Sequence, residues 1–168
     1  KRNRLATLYT EDESKHIQRA QPTMNVNGTL YSDYPKMDGT YFSGGGGLSS
    51  TAYDYAIFMQ MLLNGGAYNG KRILSRNTIR IMTTNQIGDL RLGHGDSFGL
   101  GFEIVTAEGS AYSLRPEGSY SWGGMFSSSF WIDPKEKIVA QFFLQLYPNS
   151  HGNIHEKFKT LVYQALDD

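Results

Sequence analysis

Six consecutive residues, Ser119-Tyr120-Ser121-Trp122-Gly123-Gly124, carry the clearest chemical signal in the sequence. Two glycines beside an aromatic residue let a substrate approach the backbone closely. Amides freed at such a place could stabilise an oxyanion. The same composition also suits an edge strand followed by a bulge, where glycine is favoured for its backbone freedom alone. A nucleophile to go with this segment is not evident. No serine lies in a Gly-x-Ser-x-Gly elbow, and none has a lysine three residues later, as a Ser-x-x-Lys nucleophile requires. Ser14 and Lys15 are merely adjacent, and cysteine is absent, which excludes disulfides and thiol nucleophiles.

The other residues able to do chemistry point to less. The histidines are His16, His94, His151 and His155. The last two are spaced to share a helical face, but His151 precedes the expected helix cap and no His-Glu-x-x-His zinc signature is formed. They read as partly exposed residues beside a helix start, and no metal site is expected. Asp12, Glu13, Asp89 and Asp96 read as solvated or capping groups, since nothing in their spacing creates the controlled carboxylate pair of a glycosidase. The glycine run 44–47 lacks the Gly-Lys-Ser/Thr that a phosphate-binding loop needs. No cofactor is called for.

The elements that must position Trp122 and its neighbours follow from periodicity. Residues 51–64 predict a helix, with Ser50 or Thr51 as cap and a Thr51–Asp54 capping box. Tyr55, Phe58, Met59 and Leu62 repeat at helical spacing, and Gly65-Gly66 end the run. Residues 76–84 predict a second helix, capped by Ser75 and burying Ile79 and Met82. From residue 97 the pattern turns to strands. Phe98, Leu100, Phe102 and Ile104 alternate along one half-buried strand, and residues 111–114 suggest another. Residues 128–132 and 138–147 give two more, joined by a hairpin turn at 133–137 and therefore antiparallel. Asn153 and Glu156 fit a capping box for a last helix that covers the sheet with Ile154, Phe158, Leu161, Val162 and Ala165. Before residue 48, Leu5, Leu8 and Tyr9 could close a short strand or a packed segment, and residues 11–47, with Pro22, Gly28, Pro35 and Gly39, read as long loops with short elements. The fold class is α+β, with residues 1–96 as loops and part of a helical subdomain and 97–168 as the carboxyl-terminal part of the sheet domain.

Composition narrows the function further. Sixteen basic and sixteen acidic side chains cancel, so nothing argues for nucleic acid. No stretch approaches the roughly 18 apolar residues of a membrane span. Nineteen glycines, eleven tyrosines and nine phenylalanines fit tight turns and a filled core rather than disorder.

Residues 43–82 resemble a stretch of the beta-lactamase-related serine hydrolases, which include class C beta-lactamases, penicillin-binding D-alanyl-D-alanine carboxypeptidases, D-aminopeptidases and carboxylesterases. The resemblance lies in the glycine-rich turn, the Ser-Thr before a helix, Leu-x-Asn-Gly-Gly and Ile-Leu-Ser. Residues 98–104 and 121–143 resemble that family's strand entry, third active-site motif and following strands. The resemblance implies a beta-lactamase/transpeptidase-like fold, present in part. It also implies that the chain is the carboxyl-terminal part of a longer protein, with the Ser-x-x-Lys and tyrosine motifs in an amino-terminal segment that would be its partner.

Trp122-Gly123-Gly124 matches the form of the third motif seen in esterase-like members, where others have Lys-Thr-Gly. The resemblance places the Met125 backbone amide at the oxyanion hole and makes Tyr120, Trp122, Gly123 and Gly124 substrate-binding residues. Trp122 offers apolar contact and one indole donor where a lysine would recognise a carboxylate. Esterase-like chemistry on a small ester, amide or peptide-like substrate is therefore favoured over true beta-lactamase or carboxypeptidase activity. A non-catalytic penicillin-binding relative is the alternative. The family further implies a periplasmic or extracellular location.

Overall fold

The computed structural model of the chain describes residues 4–21 and 40–166. The turn formers Pro22, Gly28, Pro35 and Gly39 lie outside the described residues. The described chain forms two compact units. One draws on Lys1–Thr51, Gly124–Ser128 and Phe143–Gly152, and the other on Ala52–Gly123, Ser129–Phe142 and Asn153–Asp168.

In the first unit, strands β1 (Tyr9–Glu11) and β2 (Ile17–Arg19) pair antiparallel, with Tyr9 opposite Arg19 and Glu11 opposite Ile17. The Asp12 carboxylate closes their turn by accepting from the Ser14 and His16 amides at 2.9 and 2.8 Å. Leu8, Ala20 and Leu146 are buried. Tyr9 bridges Leu146 in parallel, donating to Gln145 O at 2.8 Å and accepting from the Tyr147 amide at 3.0 Å. Tyr9 thus opens a short strand with the buried Leu8 just before it, and β2 is one of the short elements expected among the loops of 11–47.

The second unit opens with helix α1 (Ala52–Leu63), which buries Met59, Met61 and Leu62. Gly65 and Gly66 end it at φ 65° and 94°, donating to Leu62 O and Met61 O at 2.9 Å. This left-handed exit satisfies last-turn carbonyls that would otherwise be orphaned. A small hairpin, β3 (Ala67–Tyr68) and β4 (Lys71–Arg72), leads to α2 (Arg76–Met82). The Ser75 hydroxyl caps α2 by accepting from the Thr78 amide at 3.0 Å, as the sequence predicts.

A five-stranded sheet follows in the order β5 (Ser97–Phe98), β6 (Glu103–Ile104), β7 (Tyr120–Gly124), β8 (Ser128–Asp133) and β9 (Ile138–Phe143). Spatial order equals chain order, so there is no crossover in it. The single strand expected over 98–104 is instead the β5–β6 hairpin, with Phe98 opposite Glu103 and Gly101 in the turn at φ 92°. The strand expected over 111–114 is not formed. A short helix, α3 (Ala107–Ser110), precedes that stretch, which is occupied by turns and bends.

Alternation along β8 sorts the two faces of the sheet. Phe130 and Ile132 join Met59, Leu62, Ile79, Phe102, Ile104 and Tyr120 in the main core. Trp131 faces α4 (Ile154–Gln164), where Phe158 and Tyr163 pack on it with ring centroids at 5.8 and 6.2 Å. The fully buried Asp133 accepts from the Tyr163 hydroxyl at 2.7 Å and from the Lys135 and Glu136 amides at 3.0 Å. One carboxylate thereby shapes the β8–β9 turn and ties it to α4. The capping box expected for α4 is absent. Asn153 has helical backbone angles rather than the extended ones a cap needs, and its side chain makes no cap bond. Leu161, expected on the buried face, is exposed.

Candidate active site

Strand β7 changes character along its length. Tyr120 is buried against Phe102, edge to face at 5.4 Å, and burial pushes its phenol pKa upward, so it stays protonated. Ser121 is 6% exposed, Trp122 is 48% exposed, and Gly123 and Gly124 are open to solvent. The Trp122 indole packs edge to face on Phe98 at 4.9 Å. A Cβ built on Gly124 meets only the Ser128 side chain, its Cβ at an ordinary 3.6 Å and its Oγ at 4.0 Å. The backbone there has room for a side chain, and what glycine leaves open is the surface of the strand.

Ser121, next to the exposed tryptophan, belongs to a largely buried polar network. Arg115, 8% exposed, donates to the Ser121 hydroxyl, which donates on to Glu103 Oε2 at 2.8 Å. The guanidinium also lies 3.5 Å from Glu103 and 3.8 Å from Asp96. Asp96 is 6% exposed and accepts from the Thr106 amide at 3.3 Å, so its reading as a solvated group is corrected. Burial, with the neighbouring Glu103 charge, raises the Asp96 pKa against the pull of the Thr106 amide and Arg115. Two carboxylates share one guanidinium, and desolvation relieves the imbalance by favouring a proton. Ser119, the preceding serine, is fully buried, and its hydroxyl has no partner among the described residues.

The β7–β8 turn is built differently. Ser127 N donates to Gly124 O at 3.0 Å, closing a turn with Met125 and Phe126 at its centre. Met125 is 38% exposed. Ser127 has a positive φ of 67°. Its hydroxyl donates to Leu146 O and accepts from Asn149 Nδ2, both at 3.0 Å. Phe126 packs edge to face on Tyr147 at 6.3 Å.

His155, expected as a partly exposed neighbour of a helix start, lies within α4, with Nδ1 at 2.9 Å from the Ser129 hydroxyl. Burial lowers its pKa. Phe142 covers the ring edge to face at 5.4 Å, so this serine–histidine pair is a packing contact between β8 and α4. His151 sits 3.7 Å from Glu11. Among the described residues no group of three His, Cys, Asp or Glu could hold a metal, and no helix is long and apolar enough to cross a membrane.

Sequence reasoning missed Arg115, Glu103, Ser127 and Asn149. The alternation at 98–104 put Glu103 on the polar side, the nearest thing to a signal. Nothing in the spacing of the other three foretells a contact.

With this geometry in view, comparison with known proteins defines the class. The family model described as Beta-lactamase matches residues 1–163, and the chain belongs to that family. Among curated relatives, an uncharacterized protein of Mycobacterium tuberculosis is 30% identical over 158 residues, 87% of this chain and 37% of the relative. An Escherichia coli O157:H7 protein provisionally named as a D-alanyl-D-alanine carboxypeptidase is 32% identical over 92 residues, 55% of this chain and 20% of the relative. Among solved structures, EstCE1, a hydrolase with promiscuous acyltransferase activity, superposes with a TM-score of 0.77 at 22% identity, covering 96% of this chain and 44% of its own. Simvastatin synthase (LovD) from Aspergillus terreus gives 0.76 at 20%, covering 99% and 44%. The chain thus has the beta-lactamase-like fold in part, spanning less than half the length of each of these proteins.

Proposed function

We propose that this chain supplies one wall of the active site of a serine hydrolase that cleaves esters or amides through an acyl-enzyme, with esterase-like substrates preferred. The observation that carries the reading is β7 itself. A strand held at Ser121 by largely buried charges ends in an exposed Trp122-Gly123-Gly124 and a turn presenting Met125, in a chain whose family uses this motif for acyl transfer. The nucleophilic serine, with a lysine and a tyrosine to move its proton, comes from the same polypeptide outside these residues. Its hydroxyl attacks the substrate carbonyl while its proton passes to that lysine and tyrosine. The Met125 amide and the serine's own amide receive the oxyanion. Collapse of the tetrahedral intermediate returns the proton to the leaving alcohol or amine, and water then releases the acyl group.

Trp122 and Gly123 flank the acyl or alcohol group. Tyr120, being buried, contributes through the position of the strand. A small ester, amide or peptide-like molecule is the substrate, and the periplasm or cell exterior is the location that the carboxypeptidase-named relative supports. Trp122, where a lysine could have paired with a carboxylate, favours an ester over a substrate of that kind.

The test is burst kinetics on the full-length protein with an ester panel and a cephalosporin. Wild type should accumulate acyl-enzyme from p-nitrophenyl esters, whereas residues 1–168 by themselves should give no burst. Gly124→Val, whose side chain has room beside Ser128, should obstruct the substrate and slow acylation about a hundredfold, comparable to losing an oxyanion donor. Trp122→Ala should change the order of preferred esters and raise KM. Unchanged acylation by folded Gly124→Val would remove β7 from the site. Cephalosporin turnover without esterase activity would move the substrate class to beta-lactams.

A further inference from the structure

We propose that Ser127 and Asn149 are positioning residues, a clamp that holds the Gly124–Ser127 turn in one conformation and so sets where the Met125 backbone meets the acyl group. The proposal rests on the acyl-transfer reading above.

Its starting point is a conformation that needs explaining. Ser127 has φ 67°, a left-handed geometry uncommon for residues other than glycine, asparagine and aspartate. Such geometry persists where surrounding contacts over-determine it, and it gathers at functional sites. Here the contacts are identifiable. Besides Ser127 N to Gly124 O, the Ser127 carbonyl accepts from the Leu144 amide at 3.4 Å and the Phe126 carbonyl from the Leu146 amide at 3.2 Å. The Ser127 hydroxyl donates to Leu146 O and accepts from Asn149 Nδ2. Asn149 is itself oriented, because its Oδ1 accepts from the His151 amide at 2.9 Å and leaves Nδ2 aimed at the serine.

The chain entering the turn is strand β7, paired within the sheet but ending in two glycines. Gly123 and Gly124 have the least backbone restriction of any residue type. Side-chain bonds at Ser127 and Asn149 add restraint from the far side of a turn entered through two glycines. An oxyanion donor is effective only when fixed before the reaction. The clamp provides that fixation for Met125 without touching substrate.

The experiment uses the full-length protein and the variants Ser127→Gly, Ser127→Ala and Asn149→Ala. Burst kinetics with a p-nitrophenyl ester, thermal melting and hydrogen exchange of a peptide spanning 124–128 are measured on each. Ser127→Gly removes the hydroxyl but relieves the backbone, so it should melt above Ser127→Ala while acylating just as slowly. For both, and for Asn149→Ala, kcat should fall about tenfold, part of the hundred- to thousand-fold loss of a whole oxyanion donor. KM should stay within about twofold, since only positioning in the transition state is lost. Exchange in the turn should quicken. Wild-type kcat and exchange in Ser127→Gly and Asn149→Ala would overturn the clamp, and a change in KM alone would make Asn149 a binding residue instead. A wild type that forms no acyl-enzyme would overturn the hydrolase reading. Faster exchange in the variants would then mark a structural turn without a catalytic purpose.

Discussion

Ser121 and Ser127 belong to the same β7–β8 hairpin, and each hydroxyl both donates and accepts, but the partners differ in kind. Ser121 sits between Arg115 and Glu103, with Asp96 behind; Ser121, Arg115 and Asp96 are screened from water, and Glu103 is half-buried. Ser127 sits between a backbone carbonyl and the Asn149 amide, all uncharged. Burying ions costs desolvation that only close pairing repays, and removing one partner exposes the whole debt. Neutral bonds are individually worth about 0.5–1.5 kcal/mol and cost little when water can replace them. The charged network can therefore hold a strand register firmly inside the fold, whereas the neutral clamp suits a turn that must remain open to solvent. Asp133 and Tyr163 form an intermediate case, one carboxylate bonded to a neutral donor.

If this grading is right, Arg115→Ala should be the most destabilising of the three kinds of change. It leaves the buried Asp96 and the half-buried Glu103 without their cation and should cost about 3–5 kcal/mol in urea unfolding. Adding Asp96→Asn and Glu103→Gln should recover much of that loss. A single-variant cost below about 1 kcal/mol would remove the distinction between the two serines.

Tyr163→Phe comes next. It deletes a hydrogen bond to a fully buried carboxylate and should cost about 1.5–3 kcal/mol, with the remaining amide bonds to Asp133 softening the loss. A cost equal to that of Arg115→Ala would mean that helix docking, rather than charge, sets the scale.

Asp96→Asn should have the smallest effect and reveals its sign through pH. The folded Asp96 carboxyl has a raised pKa, so the native state binds its proton more tightly than the unfolded chain does. That contribution to stability is present at low pH and is lost as pH rises from the ordinary aspartate value through the raised one. Asparagine carries no such titration. Thermal melting should show wild type losing stability over that interval relative to Asp96→Asn, with the variant at least as stable at pH 7. A wild type that gains on the variant with rising pH would show that Arg115 outweighs burial.

Much of the scaffold is legible in the sequence. Ser75, the Gly65-Gly66 stop and the Asp133-Pro134 turn each act within a few residues, where a side chain or a glycine alone decides the backbone. The failures have equally local causes. Phe98-Gly99-Leu100-Gly101 alternates like a strand because glycines stand at every second place. Gly101 is left-handed, however, and a Cβ on Gly99 would stand 2.1 Å from Met82 O, so the segment folds back as a hairpin against the end of α2. Asn153 has the right type and spacing for a cap but the wrong backbone angles.

The sequence by itself determined the helices α1 and α2, the α+β class and the family, and it singled out Trp122-Gly123-Gly124-Met125 as the segment on which the acyl-transfer proposal rests. These depend on short-range periodicity, on steric limits of single residues and on motifs contiguous in the chain. Only the tertiary structure decided that Asp96 is buried, that Arg115 braces Ser121, that His155 is bonded to Ser129, and that Asn149 restrains Ser127. Each of those joins residues well separated in the chain, brought together by sheet order and helix docking. Their energetics depend on exclusion of water, which the fold imposes and no residue carries in its own type.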